Sequence, residues 1–289
     1  MKVVRSRAEL REALEGPRRR GKRIGLVPTM GYFHEGHLSL MRRAREDCDL
    51  VVVSLFVNPT QFGEGEDIDS YPRDEDRDLQ LAAVAGVDLV WIPDVPQIYP
   101  AGFATSVEVT GGLTGVLEGD PAQRGPSHFR GVTTVVAKLF NSVQPEVAYF
   151  GGKDAQQAVV IQRMVRDLDF PVKVEVLPTV REEDGLALSS RNVYLDPEER
   201  GRAAAISRAL RSVELAAREG EVSTGALVEL ARSELRGAGI EPDYVEARSA
   251  EDLSPVARLN GRPVLVAVAA RVGRARLIDN VVINQEATP

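Results

Sequence analysis

The chain has 289 residues, of which 43% are hydrophobic and 27% are charged, the composition of a globular protein. Its formal net charge of −7 argues against a general role on nucleic acid or on anionic membrane surfaces, since both call for a basic protein. The single cysteine, Cys48, excludes an internal disulfide. No signal peptide and no apolar run of roughly 20 residues is evident, so we expect a cytoplasmic protein.

The first part of the chain alternates apolar runs with helical patterns. Residues 24–27 form a short apolar run, and from Leu38 onward the apolar residues follow helical spacing. The valine-rich run 50–57 and the run 89–92 predict two more strands, each covered on both faces. This β-α-β-α-β order predicts a parallel sheet that binds its ligands at the carboxyl ends of the strands.

The same reasoning predicts further elements up to residue 180. They are an opening helix over 7–14 that ends at Gly16-Pro17, a strand over 105–109, a helix over 132–143, a strand over 147–150 with a glycine turn and a helix after it, and a strand over 172–177.

Beyond residue 180 the pattern changes. Asp196-Pro197 supplies a helix cap and a first-turn proline, and a second helix is predicted over 223–237. Three strand-like segments follow, at 244–247, 264–272 and 277–283. We therefore expect an α/β protein with a Rossmann-like, nucleotide-binding parallel-sheet domain over residues 1–180. A smaller α+β domain over residues 181–289 would close over the site.

The decapeptide 28–37 joins the first buried strand to the following helix. Backbone N–H groups at a helix start are unpaired and favour an anion. His34 and His37 would lie on one face of the first turn, and Gly31 and Gly36 let a ligand approach the backbone. The pattern favours a phosphate site, but a solvent-exposed or structural pair, or a zinc site with His128, remains open.

Polar turns at 28–37, 58–62, 151–157 and 186–192 fall at or just beyond predicted strand ends, which converge in an open parallel sheet. Lys153 could meet a phosphate, although a surface lysine is the plain alternative. Two amides, Gln61 and Gln157, suit a ligand's hydroxyl and carboxylate. The run Ser189-Ser190-Arg191 could clamp outer phosphates, or could be only a hinge.

These motifs together resemble the pantothenate synthetase family, over nearly the whole chain and in the family's order. They are Pro28-Thr29-Met30-Gly31 with His34-Glu35-Gly36-His37, Asn58-Pro59-x-Gln61-Phe62, Gly151-x-Lys153-Asp154 with Gln156-Gln157, and Asp184-Gly185-Leu186-Ala187-Leu188-Ser189-Ser190-Arg191-Asn192. The first is similar to the HIGH signature of the wider nucleotidyltransferase superfamily, and Ser189-Ser190-Arg191 is similar to its KMSKS-like loop.

The resemblance implies that pantoate and β-alanine are condensed at the expense of ATP, with Mg²⁺, through a pantoyl adenylate, and that AMP and pyrophosphate are released. It also implies a homodimer, with neither nucleic acid nor membrane as a partner. A zinc hydrolase and a non-catalytic nucleotide-binding module are the rival classes.

The resemblance also implies residue roles. His34, His37, Lys153 and Arg191 would be catalytic. The nucleotide would contact Met30, Gly31, His34, His37, Gly151, Lys153, Asp154, Val180, Leu188, Ser189, Ser190 and Arg191. The other substrates would contact Asn58, Gln61 and Gln157, and Asp78 is the candidate magnesium ligand. Arg124 and His128 receive no role from the sequence.

Overall fold

A six-stranded parallel sheet organises the first part of the computed structural model, which describes residues 1–63 and 65–284. Its strands are β1 (Lys2–Val4), β2 (Ile24–Thr29), β3 (Leu50–Leu55), β4 (Leu89–Trp91), β5 (Val147–Gly151) and β6 (Lys173–Leu177). Their order across the sheet is β1-β4-β3-β2-β5-β6, and every neighbouring pair is parallel. The chain order reverses between β2 and β5, which is where such sheets bind ligands.

The helices of the described chain flank and follow this sheet. They are α1 (Arg7–Arg19), α2 (Glu35–Asp47), α3 (Glu75–Val84), α4 (Val95–Ile98), α5 (Pro126–Val143), α6 (Ala155–Asp167), α7 (Pro197–Arg218) and α8 (Thr224–Gly237). Short 3₁₀ turns occur at Pro59–Gln61, Leu117–Gly119, Gly152–Asp154 and Ser190–Tyr194. No helix within the described ranges has the length and apolar character needed to cross a membrane.

Both faces of the parallel sheet are covered, as the unbroken apolar runs predict. In β2 and β3, Leu26 and Val52 belong to the core on one face, whereas Val27 and Val53 belong to the core on the other. All four are fully buried. Successive residues of a strand point to opposite faces, so a strand buried on both sides is apolar along most of its length.

An antiparallel sheet follows, made of β7 (Pro242–Ser249), β8 (Val264–Val272) and β9 (Ala275–Ile283) in that order. Residues of one face, such as Val266 and Val268, share a core with α7 and α8. Residues of the other face, such as Leu265 and Ala267, join the core of the parallel sheet. The predicted fold class is thus confirmed, and the small sheet shares a hydrophobic core with the parallel-sheet part of the chain.

Two predicted elements differ. Helix α1 does not end at Gly16-Pro17 but runs through it to Arg19, because Pro17 lacks only its own N–H and the Arg20 N–H donates to the Gly16 carbonyl at 3.3 Å. Residues 105–109 are not a strand. Their backbone bonds to side chains of α5 instead: the Val107 N–H donates to Thr134 Oγ1 at 3.0 Å, and Thr133 Oγ1 donates to the Val107 carbonyl at 2.6 Å.

Helix α5 packs closely against the 3₁₀ turn Pro59–Gln61, and Gly131 makes this possible. A Cβ atom on Gly131 would lie 2.3 Å from the Thr60 carbonyl oxygen and 2.7 Å from the Gln61 nitrogen. We expect Gly131→Ala to destabilise the protein by about 1–3 kcal/mol, the usual cost of overpacking. Urea or thermal denaturation measures this change.

Gly201→Ala is the matched control. Gly201 is also helical, but among the described residues no neighbouring atom lies within 4 Å of the point where its Cβ would be. There the substitution should stabilise α7 by about 0.5–1 kcal/mol, since alanine loses less backbone entropy. Equal stability of the two variants would contradict the close contact at Gly131.

Candidate active site

One cavity of about 240 Å³ lies at the carboxyl ends of β2, β3 and β5. The predicted site residues that line it are Met30, His34, His37, Asn58, Gln61, Gly151, Lys153, Asp154, Gln157, Val180, Leu188, Ser189, Ser190 and Arg191. Gly31 and Asp78 are not among the lining residues. The four polar turns of the sequence therefore meet in one place.

Asp78 instead supports the turn beneath the cavity. Its side chain is buried, and its carboxylate oxygens accept the Tyr32 and Phe33 N–H groups, each at 2.6 Å. These bonds hold a backbone with positive φ at Gly31 and Tyr32, of 87° and 54°. Burial raises the pKa of Asp78, and the two N–H groups oppose that shift. Because both carboxylate oxygens already accept backbone N–H groups, the structure does not favour Asp78 as a magnesium ligand.

The two predicted histidines form the cap of α2. His34 is the N-cap residue, and its Nδ1 accepts the Gly36 N–H at 3.2 Å. His37 Nδ1 accepts the His34 N–H at 3.4 Å, and the ring centroids are 4.2 Å apart. Since each Nδ1 is an acceptor, the proton of each neutral ring is on Nε2. The helix N-terminus thus carries two imidazole N–H donors.

Both rings are neutral near pH 7. Burial, together with the charges of Lys153 and Arg77, lowers the pKa of His34 to about 4. Burial and the neighbouring His34 lower the pKa of His37 well below its usual value. A bound anion would raise both pKa values, because an opposite charge favours the protonated form.

Lys153 lies in the 3₁₀ turn between β5 and α6, with its side chain 20% exposed and Nζ 3.8 Å from Asp154 Oδ2. Asp154 is the N-cap residue of α6, but its side chain makes no capping bond. Gln157 lies further into α6 and also faces the cavity. A lysine, a carboxylate and an amide therefore reach the cavity from one strand end.

The second polar turn lies across the cavity. Asn58 Nδ2 donates to Gln61 Oε1 at 3.0 Å and to the Gly131 carbonyl at 3.2 Å. Gln61 Nε2 contacts Met30 Sδ at 3.3 Å. An apolar wall lies nearby. It is made of Phe56, which follows β3, and of the α5 residues Val132, Val135, Val136 and Leu139. This part of the cavity suits a small branched molecule with polar groups at one end.

Arg124 and His128, which sequence reasoning left without a role, also line the cavity. His128 Nδ1 lies 2.7 Å from the Gln61 carbonyl oxygen, and Arg124 Nη1 lies 3.3 Å from His128 Nε2. Burial and the Arg124 charge lower the pKa of His128 to about 4. Within residues 1–63 and 65–284, no three His, Cys, Asp or Glu side chains are grouped as metal ligands, so the zinc interpretation has no donor set.

Arg191 also lines the cavity. Its Nε and Nη2 donate to the two carboxylate oxygens of Asp67, each at 2.8 Å, and its guanidinium lies 5.7 Å from the Tyr71 ring centroid. Ser190 Oγ donates to the Tyr32 carbonyl at 3.4 Å, which connects this segment to the first turn. Sequence reasoning missed Asp67 and Tyr71, since an acidic loop carries no sign of which arginine it meets.

The family follows from comparison with known proteins. A sequence model of the family described as Pantoate-beta-alanine ligase matches residues 2–282. The chain belongs to this family. It is therefore a ligase, and the family resemblance seen in its motifs is confirmed.

Relatives cover the whole length. The chain is 54% identical to the pantothenate synthetase of Moorella thermoacetica over 98% of this chain and 99% of that protein. A Thermus thermophilus pantothenate synthetase structure is 50% identical, with a TM-score of 0.93 over 99% of this chain and 100% of that one. The Francisella tularensis pantoate-beta-alanine ligase, complexed with beta-gamma ATP and beta-alanine, is 32% identical, with a TM-score of 0.82 over 98% and 97% of the two chains.

The three histidines give a direct test of the site's electrostatics, because the chain has no others. We expect all three imidazoles to titrate below the ordinary pKa of 6.5, with His34 and His128 near 4, since burial disfavours their charged form. An NMR titration of the ring protons measures each pKa. A value of 6.5 or above for any of the three would contradict the burial seen here.

The same shifts affect stability. The unfolded chain binds the protons of His34 and His128 near pH 6.5 and the folded chain only near pH 4, so the free energy of unfolding should fall as the pH drops through that window. In His128→Gln the fall should be smaller, because one of the shifted groups is absent. Urea denaturation at a series of pH values measures the difference.

Proposed function

We propose that the chain condenses pantoate with β-alanine at the expense of ATP, through an enzyme-bound pantoyl adenylate. The observation that carries this proposal is the composition of the cavity. Donors for phosphate oxygens, three amide side chains and an apolar wall line the same cavity. Family membership and the ligands named for the Francisella structure support the same reaction.

The first step is the activation of the carboxylate. A pantoate carboxylate oxygen attacks the α-phosphorus of ATP, and the bond to the departing pyrophosphate breaks. Negative charge on the phosphate oxygens grows and moves during this step. The Nε2–H groups of His34 and His37 and the ammonium of Lys153 are placed to bind those oxygens, and such donors, held before the reaction begins, lower the barrier.

The second step forms the amide. The β-alanine nitrogen attacks the acyl carbon of the adenylate, AMP departs, and the nitrogen loses a proton. Holding both substrates in one cavity removes most of the entropic cost of bringing them together. We assign pantoate to the part of the cavity formed by the apolar wall and by Gln61, Gln157 and Asn58. The wall would contact the methyl groups of pantoate.

The nucleotide occupies the opposite side. Met30, Gly151, Val180 and Leu188 also line the cavity, and we assign the adenosine to them. Gly31 contributes only through the shape of its turn. Ser189, Ser190 and Arg191 meet the phosphates, and Arg191 exchanges its bond with Asp67 for one with the ligand. The domain beyond residue 180 closes over the bound nucleotide.

Mg²⁺ fits this arrangement through the ligand more than through the protein. Asp154 is the carboxylate beside Lys153, and its side chain is 46% exposed at the cavity. Mg²⁺ keeps several waters and takes phosphate oxygens together with one or two carboxylates. When bound, the ion would offset the charge of the triphosphate, and Asp154 would be its protein contact. As the family resemblance implies, we also propose a cytoplasmic homodimer.

The deciding experiment is pyrophosphate release from ATP with Mg²⁺ and pantoate, run with and without β-alanine. We expect AMP and pantothenate in equal amounts when all substrates are present, and a stoichiometric burst of pyrophosphate when β-alanine is omitted. If the enzyme turns over with all substrates present but releases no burst of pyrophosphate when β-alanine is omitted, that result would contradict the adenylate intermediate. ATP binding with no turnover would instead favour a non-catalytic module.

Lys153→Ala should slow adenylate formation about a hundredfold, the usual loss when one such electrostatic contact is removed. The burst rate in rapid-quench experiments measures this. Lys173→Ala is the control, because Lys173 is exposed on β6 and pairs with Glu175 away from the cavity. A burst rate near that of the control would remove Lys153 from the mechanism.

A further inference from the structure

Two consecutive polar residues of β9, Asp279 and Asn280, are buried, with 3% and 8% of their surface exposed. Their strand lies at the edge of the antiparallel sheet, outside the cavity. Buried polar side chains are costly unless each donor and acceptor is satisfied. The partners of these two residues explain why they are there.

Asn280 bonds to the turn that carries Lys153. Its Nδ2 donates to the Gly152 carbonyl and to the Lys153 carbonyl, both at 2.9 Å. A side-chain amide has two N–H donors, and both are used here. The bonds hold the peptide groups on both sides of Lys153, so they restrict its φ and ψ angles and therefore the direction in which its side chain leaves the backbone.

Asp279 bonds to the other phosphate-binding segment. Arg181 donates to its two carboxylate oxygens at 2.6 and 3.0 Å, and also donates to the Gly185 carbonyl at 3.2 Å. Arg181 forms an isolated β-bridge with Ala187, and the Leu188 N–H donates to the Val180 carbonyl at 3.0 Å. This stem leads directly into Ser189.

We propose that Asn280 is a positioning residue for Lys153. Its neighbour Asp279 acts in the same way, through Arg181, on the loop that leads to Ser189. Because the two residues are adjacent on one strand, β9 sets the spacing between the lysine and the serine-arginine segment. The inference rests on the proposed function for its catalytic consequence, but the contacts can be tested without it.

Asn280→Asp is the sharpest variant, since it keeps the size of the side chain and replaces two donors with acceptors that face two carbonyl oxygens. We expect kcat for pyrophosphate release to fall at least about tenfold, since misplacing a reacting group by about 1 Å can cost a hundredfold. The KM for pantoate should stay within about twofold, because the side-chain amide of Asn280 donates to the Gly152 and Lys153 carbonyls and not to the residues assigned to pantoate.

Asn260→Asp is the matched control. Asn260 is exposed in the same half of the chain, and its Oδ1 accepts the Arg262 N–H at 3.2 Å, which a carboxylate can also do. This variant carries the same change in charge and should keep wild-type kcat and KM. Equal kinetics of the two variants would overturn the positioning role.

Hydrogen exchange provides a readout independent of activity. In Asn280→Asp, amide exchange over 151–155 should become at least about tenfold faster, while β2 and β3 keep their protection. Unchanged exchange rates at 151–155 would overturn the inference. A uniform rise in exchange rates across the chain, together with a higher KM for pantoate, would also overturn it, because that pattern indicates a general loss of stability. If the variant does not fold, Asn280→Ser, which keeps one donor, is judged by the same criteria.

The two proposals fail separately. A wild-type protein that makes no pantothenate contradicts the proposed function, yet local exchange at 151–155 still decides the role of Asn280. A wild-type protein that turns over normally, with an Asn280→Asp variant as active as its control, contradicts the positioning role alone.

Discussion

The parallel pairing of β2 with β5 is the contact on which the candidate active site depends. Gly25 lies opposite Val147 and Leu26 opposite Ala148. Side chains pack closely over this pairing: a Cβ atom on Gly25 would lie 3.0 Å from Cys48 Sγ and 3.2 Å from the Tyr149 ring. Because both strands point the same way, the histidine turn and the Lys153 turn emerge at one edge, although more than a hundred residues separate them in sequence.

The histidine pair places two neutral donors at the N-terminus of α2, where we propose that phosphate oxygens bind. Each imidazole accepts a backbone N–H at Nδ1, so the capping bonds of α2 also orient the Nε2 donors. Burial keeps the rings neutral. Neutral donors at a helix N-terminus bind phosphate oxygens without the desolvation cost of two buried cations. The positive charge is left to Lys153 and Arg191.

Arginine at this site is held by one acidic loop. Arg124 pairs with Glu66 at 2.5 Å and Arg191 with Asp67 at 2.8 Å, all four side chains being largely shielded from solvent. In a protein of net charge −7, such pairs keep the cavity from carrying several uncompensated cations before a ligand arrives. If a ligand phosphate took the place of Asp67 on Arg191, as we propose, one of the two ion pairs of this loop would break.

The sequence by itself determined the family, the fold class and most of the local elements. Unbroken apolar runs predicted strands buried on both faces, and four polar turns at strand ends predicted one site, because the periodicity of burial and the direction of parallel strands are properties of the chain pattern. The domain boundary near residue 180 stays a prediction. The local pattern did not predict β1, because its three residues are too few to show a period. It wrongly predicted a strand over residues 105–109, whose backbone bonds to threonines of α5.

Only the tertiary structure decided which polar groups meet. Three contacts show this: Asp78 bonds to the turn at Tyr32, Asp67 pairs with Arg191, and Asn280 holds the peptide groups around Lys153. The residues in these contacts are 46 to 128 positions apart in the chain. A carboxylate or an amide carries the same local signal whether it binds a ligand, an arginine or a backbone N–H. Its partner is set by the packing of whole elements, and so is its role.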